Sequence, residues 1–228
     1  MMLTKHNNKV KIITALFVIV SLCDIVGILF DVNLLRLIFK PLIIATLLLI
    51  YQISNRKYNK SYVAALVFSF FGDVLLLFEG EVFFLLGLVS FFMAHIIFIK
   101  IVMGWLNKPT LKTIAIAIVP FLILFFALIN LLKDSLNDLF VPVVVYGITI
   151  SVMGSVSLIY YLNDRGNSAL FMLIGASLFI LSDSILAINK FYSANQFFPI
   201  VIMSTYVTAQ YLIFKAVITE KQKIIEPL

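Results

Sequence analysis

The chain has 228 residues, of which 63% are hydrophobic and 12% charged, whereas soluble domains are about 45–50% apolar and about 25% charged. With a mean hydropathy of +1.13, this composition excludes a soluble enzyme. At roughly 20 residues per span, it leaves room for about eight transmembrane helices. We predict a single all-α integral membrane domain over residues 1–228.

The net charge of +6 follows membrane topology. If the termini and alternate loops share one side, that side holds thirteen of the seventeen Lys and Arg residues, and only Arg36, Lys40, Lys133 and Lys190 lie elsewhere. This positive-inside pattern predicts cytoplasmic termini and a location in the cell (inner) membrane. We expect no nucleic-acid partner, since topology accounts for the charge. The one cysteine, Cys23, excludes an internal disulfide and a zinc spacing, and we expect no metal or cofactor.

Polar residues mark the first four predicted spans. These spans cover residues 11–30, 34–51, 61–78 and 82–103. The first carries Asp24, the second has Lys40 in its first turns, the third contains Asp73 and the fourth a lone His95. A membrane-centred Asp costs about 2.5–3.5 kcal/mol, so Asp73 is a functional-site candidate unless a structural partner explains it. His95 fits packing or a proton shuttle, and Lys40 fits headgroup snorkelling or phosphate binding.

The second half continues in the same way. Its spans cover 113–132, 139–162, a stretch that ends at 188, and 198–218, followed by a short charged tail. The fifth span has no polar feature, and we interpret it as scaffold. Candidate polar side chains lie in or beside the other three: Tyr146, Asp183, Asn189, Lys190, Tyr206 and Gln210. Tyr206 and Gln210 fit either substrate orientation or interhelical hydrogen bonds.

Three short features recur in order in the two halves. FKP at 39–41 corresponds to FVP at 140–142, Gly72-Asp73 to Ser182-Asp183, and AHIIFIK from Ala94 to AQYLIFK from Ala209. Four spans separate the copies, so the halves would be parallel repeats, 1–103 and 104–228. Chance similarity between apolar segments is the alternative.

The depth of the carboxylates is consistent with one site. Asp24, Asp73 and Asp183 each lie six or seven residues before a charged residue at the outer end of a span, which is roughly 10 Å in a helix. His95 and Gln210 lie deeper, roughly 20 Å from that surface. We predict a cavity that narrows inward, with Asp73 and Asp183 as its central pair and Asp24 as either a third site carboxylate or a structural acceptor.

Several motifs resemble one family. KP in the second span, FSFFGDVLLLF, GLVSFFMAH, LFILSDSILAINKF and STYVTAQYLI occur in the order typical of YhhN-like membrane proteins, which include the lysoplasmalogenases. The resemblance implies an eight-span hydrolase that cleaves the vinyl ether of a lysoplasmalogen within the bilayer. The products are a fatty aldehyde and glycerophosphoethanolamine or glycerophosphocholine. Asp73, Asp183, Asn189, Lys190, Tyr206 and Gln210 fall within the matching motifs.

Vinyl ether hydrolysis suits a carboxyl pair. Protonation of the vinyl carbon gives an oxocarbenium ion that water captures, so the reaction needs an acid and a base. Two neighbouring carboxyls in an apolar site can divide these roles, since burial and repulsion favour one neutral and one ionised group. Glycosidases use two carboxylates for the same ion. Which aspartate would be the acid stays open, because such a pair titrates as a unit.

Two other functions fit part of the pattern. Parallel repeats with acidic groups near mid-membrane also suit a proton-coupled transporter of a small or lipid-like solute. No proline interrupts either aspartate helix, however, and Gly72 is the only candidate break. An intramembrane aspartyl protease also uses two aspartates, but the chain lacks GxGD. HExxH, GxSxG and Walker motifs are absent too, so metalloproteases, serine lipases and ATPases are not supported.

Overall fold

The structure, a computed structural model, describes residues 2–54 and 59–225, with side chains from residue 8 to residue 220. These residues form eight α-helices, two short 3-10 turns and no strand. The helices are α1 Met2–Leu29, α2 Asn33–Ser54, α3 Lys60–Leu75, α4 Glu81–Met103, α5 Leu111–Leu132, α6 Phe140–Asp164, α7 Asn167–Phe191 and α8 Phe198–Ile225. The all-α prediction is confirmed. The predicted inner loop with Arg56 and Lys57 lies outside the described residues.

Seven of these helices are long and apolar enough to cross a membrane. The exception is α3, with 16 residues, or about 24 Å against a hydrocarbon core about 30 Å thick. Its predicted span extends to Phe78, but the α-helix ends at Leu75. The Leu77 and Phe78 N–H groups instead donate to carbonyls three residues back. This tighter turn leads to Gly80, whose φ of 113° favours glycine and which precedes α4.

Polar side chains define where helices begin. Asn59 Oδ1 accepts the Tyr62 N–H at 3.2 Å at the start of α3. Thr110 Oγ1 accepts the Thr113 N–H, also at 3.2 Å, at the start of α5. Each cap satisfies a donor that the first turn of a helix leaves without an intrahelical partner.

The helices pack as four hairpins. α1 lies along α2, α3 along α4, α5 along α6 and α7 along α8. Further contacts join α2 to α3, α4 to α6 and α6 to α7, while α8 packs against α1 and α2. α5 is peripheral, since Ala117 and Leu132 are its only buried residues.

The bundle is apolar outside and partly polar inside. Val82, Ile123 and Val141 each expose more than 60% of their surface. Asp73 and His95, by contrast, are almost completely buried. A protein in lipid has this arrangement, because apolar side chains can face hydrocarbon whereas polar groups need partners or a cavity within the bundle.

Candidate functional site

A cavity of about 360 Å³ opens at the end of the bundle where α3 turns into α4; we call it the polar cavity. Both Asp73 and Asp183 line it. Its polar and charged lining residues are Arg36, Lys40, Asp73, Glu79, Ser182, Asp183, Asn189, Lys190 and Tyr206. Phe84, Phe91 and Met203 contribute apolar walls. The polar cavity therefore offers charged and apolar surfaces together, as an amphiphilic ligand requires.

Asp73 is held by α8. The Tyr206 hydroxyl donates to Asp73 Oδ2 at 2.7 Å, and Gln210 Nε2 donates to the Tyr206 oxygen at 3.3 Å. Gly72 allows α4 to come close, because a Cβ there would lie 2.6 Å from the Phe91 ring. Asp73 itself is 2% exposed, so its position is fixed by packing and by the tyrosine.

Asp183 has a tyrosine of its own, from another helix. The Tyr146 hydroxyl on α6 donates to Asp183 Oδ2 at 2.5 Å. The preceding Ser182 donates to the Ile202 carbonyl at 2.9 Å and so ties α7 to α8. A second, apolar cavity of about 40 Å³ lies beside Asp183 and Tyr146. Both tyrosines are predicted site residues, but the sequence does not show which aspartate each one contacts.

Two cations on α2 reach the polar cavity from one face of the helix, since Arg36 and Lys40 are four residues apart. Lys40 is 8% exposed and lies within electrostatic range of Asp73 and Asp24. The Arg36 Nε is buried and has no hydrogen-bond partner among the described residues.

The end of α7 forms part of the rim. Lys190 Nζ lies 4.5 Å from the centre of the Phe84 ring, a cation–π distance. Asn189 lines the polar cavity, but its Oδ1 accepts the Asn195 N–H at 3.0 Å. Asn189 therefore fixes the loop after α7.

Four predicted site residues, Asp24, His95, Tyr146 and Gln210, do not line the polar cavity. Tyr146 lines the smaller apolar cavity instead. The spacing along a helix gives the level of a residue but not the direction of its side chain. Gln210 is joined to the site through its hydrogen bond to Tyr206. Both Asp24 oxygens are buried without a hydrogen-bond partner among the described residues.

His95 has the geometry of a packed side chain. Its Nδ1 lies 2.7 Å from the Phe91 carbonyl oxygen of its own helix. Its ring meets those of Phe179 and Tyr146 edge-on, with centroids 4.5 and 5.6 Å apart. Nε2 has no partner among the described residues. These contacts fit the packing alternative better than the proton shuttle.

Sequence reasoning missed Arg36 and Glu79 as cavity residues. Arg36 was detectable, because it precedes Lys40 by one helical turn and so shares its face. Glu79 follows the end of α3, and only the turn to α4 brings it to the cavity. The described residues place no group of three or more His, Cys, Asp or Glu side chains together as a metal site.

A buried carboxylate, that of Glu220, lies at the other end of the bundle, beyond the predicted end of the eighth span. α8 continues past the predicted end at 218, and Glu220 is only 7% exposed. Its Oε2 accepts hydrogen bonds from the Tyr160 hydroxyl at 2.5 Å and the Ser168 hydroxyl at 2.6 Å. We call these three residues the Glu220 cluster.

The fold and these buried groups define a multi-pass membrane protein with a carboxylate-lined cavity. The YhhN family model matches residues 35–217, from α2 to α8, and the chain belongs to the YhhN family. Asp24 on α1 lies before the matched region. No match to the chain was found among curated proteins or among solved structures.

Proposed function

We propose that the protein is a membrane hydrolase that cleaves the vinyl ether of a lysoplasmalogen, with Asp73 and Asp183 as its acid–base pair. One observation carries the proposal: two carboxylates from separate helices line the same cavity. Each is oriented by a tyrosine on its Oδ2. We infer that the other carboxyl oxygen of each reacts with the substrate.

The chemistry proceeds in three steps. The protonated carboxyl transfers its proton to the vinyl carbon one bond beyond the ether carbon, which converts the double bond into an oxocarbenium ion. The ionised carboxylate stabilises this cation and accepts a proton as water adds to the ether carbon. The carboxyl that received this proton then protonates the ether oxygen of the hemiacetal, while the other carboxylate takes the hydroxyl proton. The hemiacetal separates into a fatty aldehyde and glycerophosphoethanolamine or glycerophosphocholine, so that one water is consumed and both carboxyls return to their starting states.

We propose that the chain has eight spans, with cytoplasmic termini, in the cell (inner) membrane. α3 would be the eighth span, extended by the turn through Phe78. The uneven distribution of Lys and Arg supports this orientation. It would place the polar cavity, whose rim holds Glu79 and Lys190, at the outer surface.

We also propose that residues 1–103 and 104–228 are parallel repeats. Matching hairpins support this, since α3–α4 and α7–α8 both pack closely. Gly72 and Ser182, the equivalent residues before the two aspartates, both contact the next helix. A Cβ on Gly87 of α4 would lie 3.6 Å from the Gly72 carbonyl oxygen, and Ser182 donates to the Ile202 carbonyl of α8. Both junctions place the residue before the aspartate against the following helix.

A proton-coupled transporter is the alternative, favoured by the acidic and basic groups that share the polar cavity. α3 and α7 are nevertheless continuous helices through Asp73 and Asp183, whereas many transporters bind substrate at broken helices. Transport would appear as pH-dependent uptake into proteoliposomes without aldehyde formation.

The test is to assay the purified full-length chain with a lysoplasmalogen and with its saturated ether analogue in D2O. We expect aldehyde from the vinyl ether alone, because only its carbon can be protonated. The aldehyde, trapped at once as a hydrazone, should carry one solvent deuterium on the carbon next to the carbonyl. No aldehyde, or equal cleavage of the saturated ether, would reject the proposal.

A further inference from the structure

We propose that Arg36, Lys40 and Lys190 form a binding site for the phosphate of an amphiphile at the mouth of the polar cavity; the amphiphile's identity as a lysophospholipid rests on the proposed function. All three cations line this cavity. Two come from one face of α2 and the third from the last turn of α7.

Arg36 supplies the strongest evidence. Its Nε is buried and has no acceptor among the described residues. A buried donor without an acceptor is unfavourable, and most such groups in native proteins are paired. A phosphate in the polar cavity would provide acceptor oxygens, and the planar fork of a guanidinium matches their spacing.

Lys40 is placed for binding inside the protein and not for snorkelling. A snorkelling lysine keeps its ammonium in water, but Lys40 is only 8% exposed. Lys190 is more exposed, and its Nζ lies 4.5 Å from the Phe84 ring centre. Phe84 therefore keeps this third cation beside the cavity, within reach of a ligand at the rim.

The charges indicate the kind of anion. The three cations share the lining with three carboxylates, Asp73, Asp183 and Glu79. Such a balanced cavity suits a singly charged phosphate ester better than a polyphosphate, which the carboxylates would repel. Its apolar walls, Phe84, Phe91 and Met203, favour a ligand that also carries a hydrocarbon chain.

Binding without turnover provides the test. Calorimetry on the detergent-purified full-length chain would compare an ester lysophospholipid, which has no vinyl ether, with the monoacylglycerol of the same chain. We expect Arg36→Gln to weaken lysophospholipid binding about 10- to 100-fold and to leave monoacylglycerol binding unchanged. Arg165→Gln, which removes an arginine at the other end of the bundle, is the matched control and should change neither.

Arg36→Lys keeps the charge without the fork and should restore part of the lost affinity, which separates binding from misfolding. If inorganic phosphate competes with the lysophospholipid, a phosphate group alone is sufficient to occupy the site. Selective loss without such competition would support a lipid-borne phosphate. Equal loss for both amphiphiles, or wild-type affinity in Arg36→Gln, would overturn the proposal. Since no turnover is measured, selective binding without aldehyde formation would reject the hydrolase and keep the phosphate site.

Discussion

The two ends of the bundle use the same chemical groups in opposite ways. At one end, Asp73 and Asp183 each accept a tyrosine hydroxyl and still line an open cavity. At the other end, one Glu220 oxygen accepts both Tyr160 and Ser168, which also lie 2.7 Å from each other. Trp105 packs against Tyr160, with ring centroids 5.6 Å apart.

The difference is between a carboxylate that can react with a ligand and one that holds helices together. A carboxylate whose neighbours enclose it joins helices, here α6, α7 and α8. A carboxylate that retains access to a cavity can meet a ligand. The presence of an acidic residue in a membrane helix therefore does not by itself locate a site; the site is where the group faces a cavity that a substrate can enter.

The largest expected effect comes from the aspartates. Asp73→Asn and Asp183→Asn should each reduce aldehyde release about 100- to 10,000-fold, because an amide can neither donate nor accept the required proton. Rates would be measured on purified folded protein. Asp134→Asn, at an exposed position after α5, is the control and should match wild type. Near wild-type hydrolysis by either site variant would end the two-carboxylate mechanism.

The next effect comes from the site tyrosines. Tyr206→Phe and Tyr146→Phe should each lower kcat about 10- to 100-fold, since each removes the hydrogen bond that orients a site carboxyl. The thermal midpoint of the purified protein should fall little, since water that enters the polar cavity can replace the lost donor. Unchanged kcat in both variants would mean that the tyrosines only pack.

The same substitution at the other end should have the opposite signature. Tyr160→Phe should lower stability by about 1–3 kcal/mol, because Glu220 loses one of two donors while buried. Chemical unfolding in detergent would measure this, and kcat should match wild type. A loss of activity without a loss of stability would show that the Glu220 cluster communicates with the polar cavity.

The smallest effect should come from Gln210. Gln210 is joined to Asp73 through Tyr206, so Gln210→Ala should reduce kcat by a few fold. In the Tyr206→Phe background it should change kcat no further, since the oxygen it binds is gone. A double-mutant cycle measures this coupling. Additive effects would assign Gln210 a contact of its own with substrate.

Much of the fold followed from apolar run lengths, because each span must be long and hydrophobic. Depth along a helix was also predictable from residue spacing, and it placed Asp73 and Asp183 at comparable levels. Side-chain direction was not. We expected His95 and Gln210 at the depth of the polar cavity, but they do not line it. The rotation of a helix about its own axis depends on packing between helices, which residue spacing does not give.

The end of α8 shows a second feature that the sequence pattern did not predict, a long-range hydrogen bond. Lys221 and Lys223 beside Glu220 make the segment look like a solvated tail, and only Tyr160 and Ser168, some fifty to sixty residues earlier, turn its carboxylate inward. Hydrogen bonds between residues so distant in sequence leave no local pattern. The pairing of each aspartate with its tyrosine was hidden for the same reason.

The open end of the polar cavity has a consequence for selectivity. The cavity opens at the end of the bundle, so a bound amphiphile need not be enclosed along its whole length. A glycerophosphate head and the vinyl ether can occupy it while the far end of a long hydrocarbon chain remains in the bilayer, without contacts that would sense its length. A hydrolase of this kind would not select substrates by chain length: homologous substrates of different length would differ in how they partition into the membrane and hardly at all in the rate of bond cleavage.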